Sequence, residues 1–146
     1  MTNQQPRSTY LLLLTLAQLP AFCRSLFCTP LHNNTFAGFV QTVTDSDGFA
    51  LLCPFEISGD RCSGQEYPNG FPVTGQSDLI IVCDPFLHSG YNPDSECRIN
   101  CPGRHFTVDQ DSSLTLDSIV LQGATNSSIQ VEQAGKLSVI NSIFNE

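Results

Sequence analysis

The C-terminal part of the chain repeats its hydrophobic pattern. Residues 105–122, HFTVDQDSSLTLDSIVLQ, laid over residues 128–145, SIQVEQAGKLSVINSIFN, bring apolar positions into coincidence at an offset of 23. Phe106 and Val108 fall on Ile129 and Val131, Leu114 and Leu116 on Leu137 and Val139, and Leu121 on Phe144. Within each group apolar and polar residues alternate, the period of a strand that buries one face. Polar breaks at 109–113, 123–127 and 132–136 separate the groups, so each repeat is predicted to hold three short strands and three turns.

The pattern extends upstream with less regular spacing. Ile80 and Val82 precede Phe106 and Val108 by 26 residues, and Ile99 precedes Leu121 by 22. This places Cys97, Ile99 and Cys101 on the face of Ile119 and Leu121, with a longer turn over 84–96. A three-strand unit of this size cannot bury its inner face alone, so neighbouring units must stack as a solenoid. The fold class predicted is all-β, a parallel β-helix of about 23 residues per coil.

Before the coils, Phe36, Phe39, Val40 and Val43 follow the i, i+3, i+4, i+7 spacing of an amphipathic helix, with Thr35 or Asn34 as its N-cap. The turn Asp45-Ser46-Asp47-Gly48 follows, then strands over Phe49–Cys53 and Phe55–Ile57. A solenoid end exposes strand edges and apolar interior, and a helix across the opening covers both. Residues 26–48 are therefore expected to form an N-terminal cap and residues 49–146 the coils, with 58–74 a protruding Gly- and Pro-rich loop closed by Cys62.

Residues 1–25 carry Arg7, the apolar run Tyr10–Leu19, and Pro20 followed by small residues up to Ser25. That is the layout of a secretory signal peptide, and the run is too short to cross a bilayer. The remaining chain has 4 basic and 14 acidic side chains, a net charge of minus ten. Such a balance argues against nucleic acid and anionic lipid as partners, and leaves cations, neutral sugars and proteins. No membrane span is expected in the mature chain.

Six cysteines remain after cleavage: Cys28, Cys53, Cys62, Cys83, Cys97 and Cys101. In an oxidising compartment they read as disulfides, with local pairs Cys53–Cys62 and Cys83–Cys97 expected to staple loops. Zinc is the rival use of Cys97-x3-Cys101, though no CxxC knuckle accompanies it. Asn33 and Asn126 head sequons and are glycosylation candidates on the surface.

Taken together, the capping helix, the Cys-Pro-Phe strand, LIIVCD, CRINCPGRHFTV and the stacked LTLDSIVLQGATNSSIQVEQAGKLSVINSIF resemble secreted right-handed parallel β-helix proteins of the pectate-lyase-like superfamily. The resemblance covers residues 36–146 and concerns the fold, since that fold carries lyases, hydrolases, esterases, adhesins and surface proteins. Right-handedness follows from it and from the general rule for parallel crossovers. The sequence stops in mid-coil at Phe144-Asn145-Glu146 with no cap, which is expected of a solenoid fragment or of a chain that pairs end-on.

The outward neighbours of the first strand group form two columns, Ile81, Thr107, Gln130 and Cys83, Asp109, Glu132. Asp109 and Glu132 would then stack on adjacent coils about 4.8 Å apart, where two carboxylates splay into water, share a proton or bridge a cation. They are the candidate cation or ligand site, with Ca²⁺ the cofactor the resemblance suggests; otherwise none is expected. An elimination site would need a basic group there, and only Arg104 and Lys136 offer one; inverting glycoside hydrolysis would draw on Asp109, Asp111 and Glu132.

Four other groups were weighed against simpler uses. Asp45 and Asp47 echo a calcium loop but suit a turn. Asp84, Asp94, Glu96 and His88 share one loop able to hold Ca²⁺ or simply to turn. His105 and Arg104 suit packing at a corner, and Gln110 and Gln133 a side-chain ladder. Tyr67, Phe71, Phe86 and Tyr91 are possible sugar platforms.

The function expected is a secreted or cell-surface, non-catalytic module, structural or carbohydrate-binding, with polysaccharide or cell-surface partners. The alternative is the N-terminal part of a polysaccharide lyase or glycoside hydrolase whose catalytic coils lie beyond residue 146.

Overall fold

The computed structural model describes residues 28–62, 68–75, 77–84 and 96–145. The expected signal peptide, and Tyr67, Phe86, His88, Tyr91 and Asp94, lie outside them. One helix, α1 (Phe36–Thr44), precedes eleven strands: β1 (Phe49–Leu52), β2 (Phe55–Ser58), β3 (Phe71–Val73), β4 (Asp78–Cys83), β5 (Cys97–Asn100), β6 (Phe106–Val108), β7 (Ser113–Asp117), β8 (Ile119–Gln122), β9 (Ile129–Val131), β10 (Lys136–Ile140) and β11 (Ile143–Asn145). They form three sheets, in the orders β1-β4-β7-β10, β2-β5-β8-β11 and β3-β6-β9. Every pairing is parallel, so each successive set of three strands lays one member on each sheet. This arrangement is compatible with a parallel β-helix.

The offset of 23 is the register of the last two sets. Phe106 pairs with Ile129, Leu114 with Leu137, and Leu121 with Phe144. The turns repeat as well. Asp111 and Ser118 have φ of 60°, and Ala134 and Asn141, each 23 residues on, have φ of 65° and 48°. A single left-handed residue swings the chain sharply from one sheet to the next; Ser118 alone separates β7 from β8. Ser142 Oγ accepts the Ile119 amide at 3.0 Å, tying neighbouring corners together.

Earlier pairings are more widely spaced. Phe49 pairs with Ile80, 31 residues on, Phe55 with Cys97, 42 on, and Phe71 with Phe106, 35 on. β3 lies inside the segment expected to be a protruding loop, and β4 faces the opposite way from expectation. Leu79, Ile81 and Cys83 are buried while Ile80 is 38 % exposed. β4 also belongs to the sheet of β7, with Ile81 opposite Leu116, and not to the sheet of Phe106 and Val108.

At the β1–β2–β3 end the apolar interior is closed by α1. Thr35 caps the helix, its Oγ1 accepting the Gly38 amide at 3.0 Å. Phe36, Phe39, Val40 and Val43 join the strand residues in one core. Phe39 is fully buried, with its ring 6.0 Å from Phe36, 5.8 Å from Phe55 and 6.0 Å from Phe106. Thr29 bridges to Leu52 along the free edge of β1.

Three disulfides join the six cysteines, Cys28–Cys53, Cys62–Cys101 and Cys83–Cys97. The last is the expected local staple; the expected Cys53–Cys62 pair is replaced. The Thr29–Leu52 bridge sets Cys28 beside Cys53, and the pairing of Ser58 with Asn100 brings the segment after β2 alongside Cys101. Cys97 and Cys101 are thereby committed to separate bonds, which removes the zinc reading. Three disulfides are typical of secreted or extracellular proteins. Among the described residues no helix is long and apolar enough to cross a membrane.

Candidate functional site

The third sheet carries the candidate carboxylates. Val108 pairs with Val131, and the ladder continues one residue further: the Asp109 amide donates to Val73 O at 3.0 Å and the Glu132 amide to Val108 O at 2.8 Å. Asp109 and Glu132 are therefore neighbours on adjacent strand sets, as the repeat predicts. The residue preceding them in the column is Thr74, which follows Val73, and not Cys83, which is buried in another sheet. Ile81 is likewise fully buried and gives way to Pro72 beside Thr107 and Gln130.

Together with Gly75, Gln110 and Gln133, the two carboxylates line an open trough of about 500 Å³. The Gln130 amide donates to Glu132 Oε1 at 2.6 Å, which steadies that carboxylate. Asp109 is half-buried and Glu132 exposed. Carboxylate oxygens accept only, while the two primary amides both donate and accept, so the trough offers mixed hydrogen-bonding capacity along consecutive coils. Gln110 and Gln133 sit side by side as the ladder reading expects. Neither Arg104 nor Lys136 lines the trough.

Calcium requires six to eight oxygen ligands, usually with several carboxylates. Among the described residues no three His, Cys, Asp or Glu side chains converge where a metal ion could sit. The Asp109–Glu132 pair thus lacks a third anionic ligand, and the donor set does not fit a calcium site.

His105 and Arg104 occupy a second hollow of about 130 Å³, bounded also by Phe36, Pro68 and the Cys62–Cys101 disulfide. His105 is 1 % exposed, with Nε2 3.0 Å from Cys101 O. A carbonyl only accepts, so Nε2 carries the proton and Nδ1 is a bare acceptor with no partner. Burial pushes the imidazole below its ordinary pKa, opposed by the bond to the Cys101 carbonyl. The packing role expected for this corner is what the geometry displays.

The remaining candidates separate. Phe71 is half-buried in β3, edge-on to Phe106 at 6.3 Å, so it packs the core instead of offering a sugar platform. Asp45 is the C-cap of α1, and Asp47 has φ of 53° in the turn that follows. Asn33 and Asn126 are both exposed. The face formed by β9, β10 and β11 escaped attention as a site, although the repeat that predicts its apolar residues was legible. No protein-family model matches this chain, and neither a curated protein nor a solved structure does.

Proposed function

We propose that the chain is a secreted or cell-surface module with a right-handed parallel β-helix fold, whose Asp109–Glu132 trough binds neutral polysaccharide. The observation that carries this reading is the register of the third sheet. It sets Asp109 beside Glu132 and Gln110 beside Gln133 along an open groove. Hydroxyl-rich chains are recognised by such repeated acceptors and amides, and an extended ligand suits the length of a solenoid face. The net charge of minus eight disfavours anionic glycans. Secretion is supported by the three disulfides and by the leader-like composition of residues 1–25.

Affinity electrophoresis through gels containing neutral glucans, galactans or xylans tests the reading. Retardation of the oxidised protein, lost in Asp109→Ala/Glu132→Ala with an unchanged melting temperature, is the expected result. Equal migration with and without every polysaccharide would overturn it.

A further inference from the structure

The strands β9, β10 and β11 are each paired on one side, and among the described residues no strand lies on their other edge. Their side chains belong to an interior. Leu114, Leu116 and Leu121 are fully buried, while their register partners Leu137, Val139 and Phe144 are 39 %, 41 % and 43 % exposed. A hollow of about 400 Å³ opens between Leu137, Phe144 and Ile129. Three open edges around an apolar centre form a template for further strand pairing.

Charge and pattern select the occupant. Residues 128–145 contain one acid, Glu132, and one base, Lys136, a net of zero in a chain of net minus eight, so two copies of this face meet without repulsion. The inward pattern of β10 is a palindrome about Ser138. In an antiparallel pair centred there, Leu137 of each copy stands opposite Val139 of the other, and both stay on the interior side. Stacking onto the opposite end is blocked, because α1 and Thr29 cover it. We propose that the β9–β10–β11 face is the interface of a two-fold dimer, with the axis passing through paired Ser138 residues and β10 pairing antiparallel with its copy. This inference is independent of the polysaccharide reading.

Sedimentation equilibrium and light scattering on the secreted, oxidised chain test it, using an Asn126→Gln background so that a glycan on the rim does not decide the outcome. The expected result is twice the chain mass at micromolar concentration. Leu137→Glu, at a position already exposed, reverts it to a monomer with unchanged circular dichroism and melting temperature. Residues directly opposite in an antiparallel pair have Cα atoms about 4.5–5.5 Å apart, within disulfide reach. Ser138→Cys therefore gives a disulfide-linked dimer whose bond maps by peptide sequencing to that position in both copies, while Thr115→Cys gives none. A monomeric parent chain overturns the proposal, as does a dimer indifferent to Leu137→Glu, and so does a monomer that captures only an added strand peptide or another protein.

Discussion

Replacing Phe39 by alanine tests whether α1 is an integral cap or a loosely attached segment. The ring is fully buried and touches aromatic neighbours from α1 itself, from β2 and from β6. Truncating a buried phenylalanine removes about 3–5 kcal/mol, part of it from the cavity left behind. The lower end applies where neighbours collapse into the space. Here the walls belong to separate elements, two of them held in parallel sheets, so no single movement closes the cavity and about 4–5 kcal/mol is expected. Phe39→Leu, which keeps most of the volume, is expected to remove about 1–1.5 kcal/mol. Urea unfolding of the oxidised protein, followed by far-UV circular dichroism, reads both as a lower midpoint at constant slope. A loss below about 1 kcal/mol for alanine would refute the cap. A reduced slope would refute it differently, by showing that the variant's helix had already detached.

Three further predictions concern single positions. Because burial lowers the His105 pKa, the unfolded chain takes up a proton at a higher pH than the folded one. The His105 contribution is thus full above the unfolded value of about 6.5 and declines as pH falls from there toward the folded pKa; His105→Gln should flatten that slope in melting temperatures recorded between pH 7 and 5. Ala134 has φ of 65°, which strains a residue with a Cβ, so Ala134→Gly should raise stability by about 1 kcal/mol in the same urea assay, against the usual effect of glycine. Gly70 has φ of 84°, and a Cβ there would lie 2.8 Å from the backbone of His105 and Phe106, so Gly70→Ala should destabilise by about 2 kcal/mol or more; an unchanged midpoint would contradict the close approach.

The fold was most legible where loops are short. From Phe106 to Asn145 every strand pairs at the predicted offset of 23, because alternation and equal turn lengths leave one register that buries the apolar set. Strand β4 was misread because DLIIVC is apolar at both alternations, so period two alone cannot choose a face. Burial of Cys83 in its bond to Cys97, and of Leu79 opposite Leu114, makes the choice. Strand β3 was hidden by its three-residue length and by Pro72 amid turn residues. The Cys53–Cys62 pairing failed because proximity along the chain is a poor guide when parallel strands join residues tens of positions apart. At the candidate site, the adjacency of Asp109 and Glu132 was readable from the repeat. Their upstream neighbour Thr74 was not, since it depends on β3. His105 as a buried group was anticipated only as corner packing, and its bare Nδ1 has no signature in the sequence.

Titration of isotopically labelled, oxidised protein with a soluble neutral polysaccharide, followed by amide chemical shifts, tests the functional account most directly. The account predicts shifts concentrated at Gly75, Asp109, Gln110, Glu132 and Gln133, with the side-chain amides of both glutamines moving at the same ligand concentration. An unchanged spectrum with every neutral polysaccharide, or shifts confined to another surface such as the His105 hollow or the β9–β10–β11 face, would contradict it.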